Sequence, residues 1–368
     1  MNSSRPAPPD LRPSQDERNA DAQQAAAPAP GREGVPFDDE WRRWLAENLM
    51  LDQPPDGILR AMIAAGIPAA VAARELDEAR RSPYVRGAAL LRERLKKREW
   101  LLAAYRKVNR LLPRSSEVER RHKLSRGEFL AEYYSTNRPV IITEMMDDWP
   151  AMTKWGVDYF DRMFGEREIE LQVGRTAGDN YEIEREKYLQ KMRLSDFLTR
   201  IASAGVTNDL YLTANNSSAN KKALPELWDD IVQVPEYLDP RGDRAGGFFW
   251  MGPPGTITPF HHDLTNNFMA QVLGRKRVKI APSWDLPLMG NHYHVYSRVD
   301  GRVRPPTPNP APDEAQVLEC ILHPGEMLFL PIGCMHFVEG LDVSVTVSFT
   351  NFVFDNEFTS FYSTYHAV

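Results

Sequence analysis

From residue 248 to its end the chain is a succession of short apolar runs separated by Gly, Pro and Asn turn residues. Many short strands punctuated in this way predict a barrel or a sandwich. The last of them sets the pattern: Val343, Val345, Val347 and Phe349 alternate with Ser344, Thr346, Ser348 and Thr350. Period-two alternation puts the polar set on one face of a strand, lining either a polar lumen or an exposed surface. Ahead of this region the pattern is mixed. Residues 129–134 and 194–201 read as helices, 139–143 as a buried strand, and 169–173 and 210–212 as further strands. The fold class expected is mainly β with flanking helices (α+β). With 368 residues there is room for a sizeable core and for a second, smaller unit.

That second unit is N-terminal. Residues 1–36 are rich in Pro, Ala, Gln, Asp and Arg and read as a disordered arm. Residues 37–124 read as a helical region. Trp41, Trp44, Leu45, Leu49 and Leu51 recur at helical spacing, and further helices are expected over 58–65, 69–81 and 88–112. The last carries the apolar stripe Leu91, Leu95, Leu102, Tyr105 and Val108. Between Arg86 and Arg126 lie fourteen Lys or Arg against four Asp or Glu, in a chain whose net charge is −6. This stretch is either the solvated face of a long helix or a docking surface for RNA, an acidic protein or an acidic carrier. No apolar run is long enough to cross a membrane, and no secretory signal is visible at the N-terminus. Two cysteines, Cys320 and Cys334, make no disulfide framework and fit a reducing, cytoplasmic setting.

The chemistry concentrates in the segment 250–263, which ends Thr258-Pro-Phe-His261-His262-Asp263. On a strand, His261 and Asp263 share a face, so an imidazole and a carboxylate aim at one point. His336, at the end of a second predicted strand, is the candidate third ligand. Two histidines and one carboxylate form the facial ligand set of non-haem Fe(II) oxygenases, leaving the opposite face of the metal for a bidentate cosubstrate and O2. Lys276 shares a face with Val278 and Ile280. An ammonium on the apolar face of a strand needs an anionic partner, unless it sits at the strand end and snorkels to water.

Together these residues are similar to a known family. Thr258-Pro-Phe-His261-x-Asp263, then Asn267, then Ala270-Gln271-Val272-x-Gly274-x-Lys276, resembles the core of JmjC/cupin-like 2-oxoglutarate oxygenases, in particular the asparaginyl-hydroxylase-like cupin 8 branch. The block from His323-Pro324-Gly325 through Pro331 to His336 fits the same family, as do Arg138-Pro139-Val140-Ile141-Ile142 and Trp149-Pro150-Ala151. The resemblance covers about residues 125–352, within a domain taken as 125–368.

The resemblance implies a double-stranded β-helix (jelly-roll) barrel. It implies Fe(II) held by His261, Asp263 and His336, with 2-oxoglutarate as cosubstrate and O2 as oxidant. The distal carboxylate of 2-oxoglutarate would meet Lys276, Thr258 and Tyr211. Asn267 would support the metal-proximal end of the cosubstrate, and Ser348 would lie near it. Were His262 the ligand in place of His261, Asp263 would be adjacent and face away. Gly333, Cys334 and Met335 replace an aromatic residue common before the distal histidine, which widens the pocket; Cys334 itself reads as a packing residue. His292 and His294 lack further ligands and read as part of a Pro-rich insert, 283–312, over the barrel mouth. Trp250 and Trp284 read as mouth or core. The function implied is a hydroxylase of a protein or peptide side chain. A small molecule, a carrier-tethered metabolite or a tRNA base is the alternative substrate, and a non-catalytic cupin-like scaffold is the alternative from another class. A homodimer, if formed, would use the N-terminal helices.

Overall fold

The computed structural model describes residues 36–111, 117–214, 217–240, 247–307 and 310–366. The arm read over 1–36 thus lies outside the described residues, apart from Pro36. The chain divides into two compact units between Leu101 and Leu102.

The first unit holds α1 (Asp39–Met50), α2 (Pro55–Ala64), α3 (Ala69–Arg81) and the start of α4 (Pro83–Asn109), which crosses the division. The Asp38 carboxylate accepts from the Trp41 backbone N–H at 3.1 Å and so caps α1. Trp41, Trp44, Leu45, Ile58, Met62, Ala72 and Leu76 form the unit's own core. Pro83 both stops α3 and opens α4, because proline fits the first turn of a helix, where no N–H partner is needed. The stripe expected on α4 does not find a core. None of its described side chains is buried, and Leu91, Leu95, Tyr105 and Val108 are exposed. Arg92 and Lys96 both pair with Asp52.

The second unit is built from fifteen strands among the described residues: β1 (Arg120–His122), β2 (Val140–Thr143), β3 (Glu168–Val173), β4 (Leu189–Arg193), β5 (Leu210–Tyr211), β6 (Gly247–Gly252), β7 (Ile257–His261), β8 (Asn267–Leu273), β9 (Lys276–Ala281), β10 (Asn291–Tyr293), β11 (Tyr296–Ser297), β12 (Leu318–Leu322), β13 (Glu326–Leu330), β14 (Met335–Gly340) and β15 (Ser344–Phe349). Five helices flank them: α5 (Arg126–Phe129), continued by a π turn (Leu130–Tyr134), α6 (Ala151–Lys154), α7 (Val157–Phe164), α8 (Leu194–Ser203) and α9 (Ser217–Ala223). One six-stranded sheet runs β1-β2-β13-β8-β15-β6 and a second runs β10-β11-β7-β14-β9-β12, while β4-β3-β5 forms a small third. The two large sheets are the halves of a jelly roll, which confirms the expected fold class.

Strand parity explains the layers. On β15, Val345, Val347 and Phe349 join a core with Phe129, Phe160 and Phe197 from the flanking helices and Trp149 from the turn before α6. The alternate residues Ser344, Thr346 and Ser348 are equally buried but face the lumen, where Thr346 donates to Gln271 Oε1 at 2.7 Å. The polar face read from the sequence is therefore a lumen and not a solvent face. On β9, Val278 and Ile280 pack into a second core with Met269, Leu328 and Val338. Outside the second sheet, Phe260, Met289, Val317, Met335 and Phe337 form a third.

The turn from β8 to β9 decides where Lys276 begins its strand. Gly274 holds φ +67°, and a Cβ there would collide with the Val343 carbonyl. Gly274→Ala therefore combines left-handed backbone strain with a backbone clash. We expect it to lower unfolding free energy by about 1–3 kcal/mol or more. Urea denaturation against the wild type reads this directly.

Candidate metal and cosubstrate site

A cavity of about 400 Å³ lies between the two large sheets, lined by β6, β8 and β15 on one side and β7, β9 and β14 on the other. At one end, His261 closes β7 and His336 lies near the start of β14. They are paired partners in the ladder, with ring centroids 4.2 Å apart. Asp263 follows just beyond β7. Its Oδ1 lies 3.8 Å from His261 Nε2 and its Oδ2 3.9 Å from His336 Nε2. One donor atom from each residue lies within 4.8 Å of the other two.

The imidazoles are fixed from behind. His261 Nδ1 lies 2.9 Å from the Pro259 carbonyl, and His336 Nδ1 lies 3.1 Å from the Cys334 carbonyl. A carbonyl only accepts, so each Nδ1 carries the proton and each Nε2 turns its lone pair inward. Burial, and then the neighbouring His336 ring, push His261 down to about 4, so the ring stays neutral. Burial acts to raise the Asp263 carboxyl, but the two imidazoles and the Asn267 amide outweigh it and hold the group below its ordinary range. Asn267 Nδ2 donates to Asp263 Oδ2 at 3.0 Å, so the asparagine here steadies the carboxylate. Its Oδ1 is buried without a protein partner. His262 also lines the cavity but is not part of the three-residue cluster. Its Nδ1 lies 3.1 Å from the Asp263 carbonyl, and its ring lies 6.0 Å from that of Tyr362.

Thr258 and His261 both line the cavity, although simple alternation would put residues three apart on opposite faces. The ladder explains it. His336 pairs with His261 but Val338 pairs with Thr258, so β7 holds an extra residue in a bulge.

At the other end lies Lys276, 2% exposed. It does not snorkel to water. Its Nζ donates to Tyr211 Oη at 3.0 Å, and among the described residues no carboxylate pairs with it. Burial alone pulls its ammonium down to about 7. Tyr211 is buried on β5, and burial raises its phenol. Thr258 and Ser348 line the same cavity. The Ser348 hydroxyl accepts from Trp250 Nε1 at 2.9 Å, which makes Trp250 part of the wall.

Several residues on this wall lay outside the sequence reading. Arg175 and Glu182 form a buried ion pair of 2.9 Å behind Tyr211. Tyr296, from the insert, pairs with His261 across β11 and β7, its ring 6.1 Å away. His294 lines the cavity too, where its backbone carbonyl accepts from Tyr362 Oη at 2.7 Å. The insert thus supplies the wall through 294–296. Its tryptophan, Trp284, sits in a separate cleft with Arg138, Pro139 and Gln316. Cys334 is a buried packing residue whose thiol burial pushes up to about 12. Part of the basic stretch is engaged internally: Arg106 and Arg110 reach the buried Asp285, Arg120 pairs with Glu326 and Arg121 with Glu132.

This arrangement suits an iron(II) ion and a dicarboxylate. Two imidazole nitrogens and one carboxylate converge, and a buried ammonium waits at the far end of the cavity without a described carboxylate. Residues 126–360 match the cupin-like domain family. The chain belongs to that family. Several of its relatives carry JmjC names. It is 34% identical over 246 residues to the lysine-specific demethylase JMJ30 of Arabidopsis thaliana, covering 63% of this chain and 54% of that one. It is 28% identical to the human bifunctional peptidase and (3S)-lysyl hydroxylase JMJD7, covering 64% and 83%. It is 26% identical to the tRNA wybutosine-synthesizing protein 5 of Gallus gallus, covering 61% and 74%. The chain spans about half the length of the demethylases it matches. JmjC cupin-like proteins work with Fe(II), 2-oxoglutarate and O2, and the donors just described fit that set. Among the described residues no helix is long and apolar enough to cross a membrane.

The lone ammonium has a measurable cost. Lys276→Met should stabilise the protein, free of metal and cosubstrate, by roughly 1–3 kcal/mol at neutral pH. The unfolded lysine titrates near 10.5 and the folded one near 7. The unfolded state therefore binds more protons between these values, and wild-type stability rises with pH across that window. The advantage of the methionine variant should shrink as pH climbs from 7 towards 10, as read by denaturation midpoints at each pH.

Proposed function

We propose that this chain is an Fe(II)- and 2-oxoglutarate-dependent oxygenase that hydroxylates a C–H bond on a protein or peptide side chain, through the domain 125–368. The observation that carries the reading is the pairing of the His261–Asp263–His336 cluster with a buried lysine at the opposite end of one cavity. When bound, iron and 2-oxoglutarate supply the oxidation of the C–H bond by O2, with release of succinate and CO2.

The chain's own residues bind, orient and exclude water. His261, Asp263 and His336 hold the metal on one face. Asn267 keeps Asp263 from rotating away. Lys276, Tyr211 and Thr258 take the distal carboxylate, and its charge restores the ammonium that burial weakens. Ser348 and Trp250 close the wall beside the cosubstrate. Tyr296 and His294 border the side from which a substrate side chain enters. No acid–base pair is required, because the protein's task is to hold the reacting bond near the metal in a dry site.

A protein or peptide substrate is favoured by the names of relatives that act on lysine. A tRNA base has one relative's name in its favour. The internal pairing of Arg106, Arg110, Arg120 and Arg121 weighs against RNA or an acidic carrier on the basic stretch. A non-catalytic scaffold reading has no missing ligand to support it. Exposed Leu91, Leu95 and Trp100 on α4 support a homodimer through the N-terminal helices, which sedimentation would read. The two free cysteines are in keeping with a cytoplasmic setting.

Succinate release from labelled 2-oxoglutarate, with Fe(II) and O2, tests the activity. Wild type should turn over slowly without substrate and faster with a peptide pool than with tRNA. Asp263→Ala and His336→Ala should fall to background. Succinate release that survives either substitution would contradict the assignment, and stimulation by tRNA alone would transfer it to the nucleic-acid alternative.

A further inference from the structure

We propose that the buried Arg175–Glu182 ion pair is a positioning device for cosubstrate capture: it braces Tyr211 and the peptide leading into Thr258, and it offsets the charge that Glu182 brings to the cavity wall. The proposal rests on the functional reading above.

Arg175 follows Gly174, whose φ of +84° turns the chain sharply out of β3. The arginine side chain is fully buried. Its Nη2 donates to Glu182 Oε1 at 2.9 Å and to the Ile257 carbonyl at 2.6 Å. Ile257 directly precedes Thr258 on β7. The guanidinium lies 5.1 Å from the ring centroid of Tyr211 and 4.3 Å from that of Tyr181. Tyr211 is thus held on one face by a guanidinium and at its hydroxyl by Lys276. One planar cation thus lies over the Tyr211 ring and bonds the peptide that leads into Thr258, the two groups that would meet the distal carboxylate with Lys276.

The pair is a poor device for stability alone. Nε and Nη1 of Arg175 are buried without partners, and buried ion pairs are often replaced by apolar residues without loss. Its placement has a clearer use in the cavity. Glu182 lines the cavity that also holds Lys276. Without the Arg175 charge, the Glu182 carboxylate on the cavity wall would repel a dianionic cosubstrate. Bound to Arg175, the two charges cancel, and Lys276 remains the cation that no described carboxylate pairs. Iron with its one carboxylate ligand, together with Lys276, then offsets the two charges of 2-oxoglutarate.

The two roles separate in a set of variants. 2-Oxoglutarate is titrated calorimetrically into anaerobic Fe(II)-loaded protein, with Fe(II) affinity measured separately. Arg175→Met loses both brace and charge offset, and its cosubstrate dissociation constant should rise roughly 100-fold. Arg175→Met with Glu182→Gln loses only the brace and should recover to a deficit of roughly tenfold. Arg175→Lys, which keeps the charge but not the planar fork, should raise the KM for 2-oxoglutarate with kcat retained at saturation. Fe(II) affinity should not change in any of them. Glu182→Gln also removes the cost of a buried carboxylate without its cation, so denaturation midpoints are read beside the dissociation constants, and binding that recovers no further than stability does would overturn the charge-offsetting role. Where Arg175→Met alone fails to fold, the comparison of wild type, Arg175→Lys and the double variant carries the test. Dissociation constants equal to wild type in the folded variants would overturn the positioning role while leaving the oxygenase reading intact. A wild-type protein that binds Fe(II) but no 2-oxoglutarate would overturn the oxygenase reading and this proposal with it.

Discussion

A lysine ammonium buried on the lumen face of a barrel strand sets the terms for the cavity around it. Among the described residues Lys276 has one hydrogen-bond partner, the Tyr211 hydroxyl, and burial weakens its charge. Its surroundings are arranged to leave it that way. Val278 and Ile280 follow it on the same face, the one carboxylate of the wall beside Tyr211 is held by Arg175, and Asp263 is held at the far end by Asn267. A fold selected for stability alone would fill this position with an apolar residue. The cavity therefore sets a cation with no described carboxylate opposite the His261–Asp263–His336 cluster, an arrangement that suits an anion long enough to reach both ends.

Strand parity made much of this legible in the sequence. The alternation on β15 separates the residues that pack on the helices from those that line the lumen, and the placement of Lys276 with Val278 and Ile280 follows from the same rule. The helices over 69–81 and 194–201 and the strand at 139–143 follow from periodicity. Parity fails at β7. Thr258 and His261 face the same cavity only because the strand carries a bulge opposite His336 and Val338. No local residue pattern announces that extra residue, so the motif resemblance brought Thr258 to the site where alternation would have turned it away.

Other parts of the site were hidden for a different reason. Arg175 and Glu182 lie between β3 and β4, far in sequence from the segment that carries Thr258, His261 and Asp263, and an isolated Arg–Glu spacing carries no signal until the chain folds back behind Tyr211. Tyr296 enters through an insert whose prolines read as loop, yet two of its residues form β11 against β7. The basic stretch shows the converse. Fourteen cations near one another in sequence suggest a surface for a partner, but Arg106 and Arg110 turn inward to one buried aspartate. On α4, regular leucine spacing marked an apolar stripe without telling whether anything packs on it.

The account stands on a metal and a cosubstrate meeting the two ends of one cavity. The most direct measurement is an anaerobic titration of the metal-free protein with Fe(II) and 2-oxoglutarate, followed in the visible range for the metal-to-ligand charge-transfer band. Wild type should develop the band at stoichiometric metal. His261→Ala should not develop it, and Lys276→Met should require far more 2-oxoglutarate to reach it. A folded wild-type protein that binds Fe(II) and shows no band, or a Lys276→Met variant that titrates like wild type, would contradict the account.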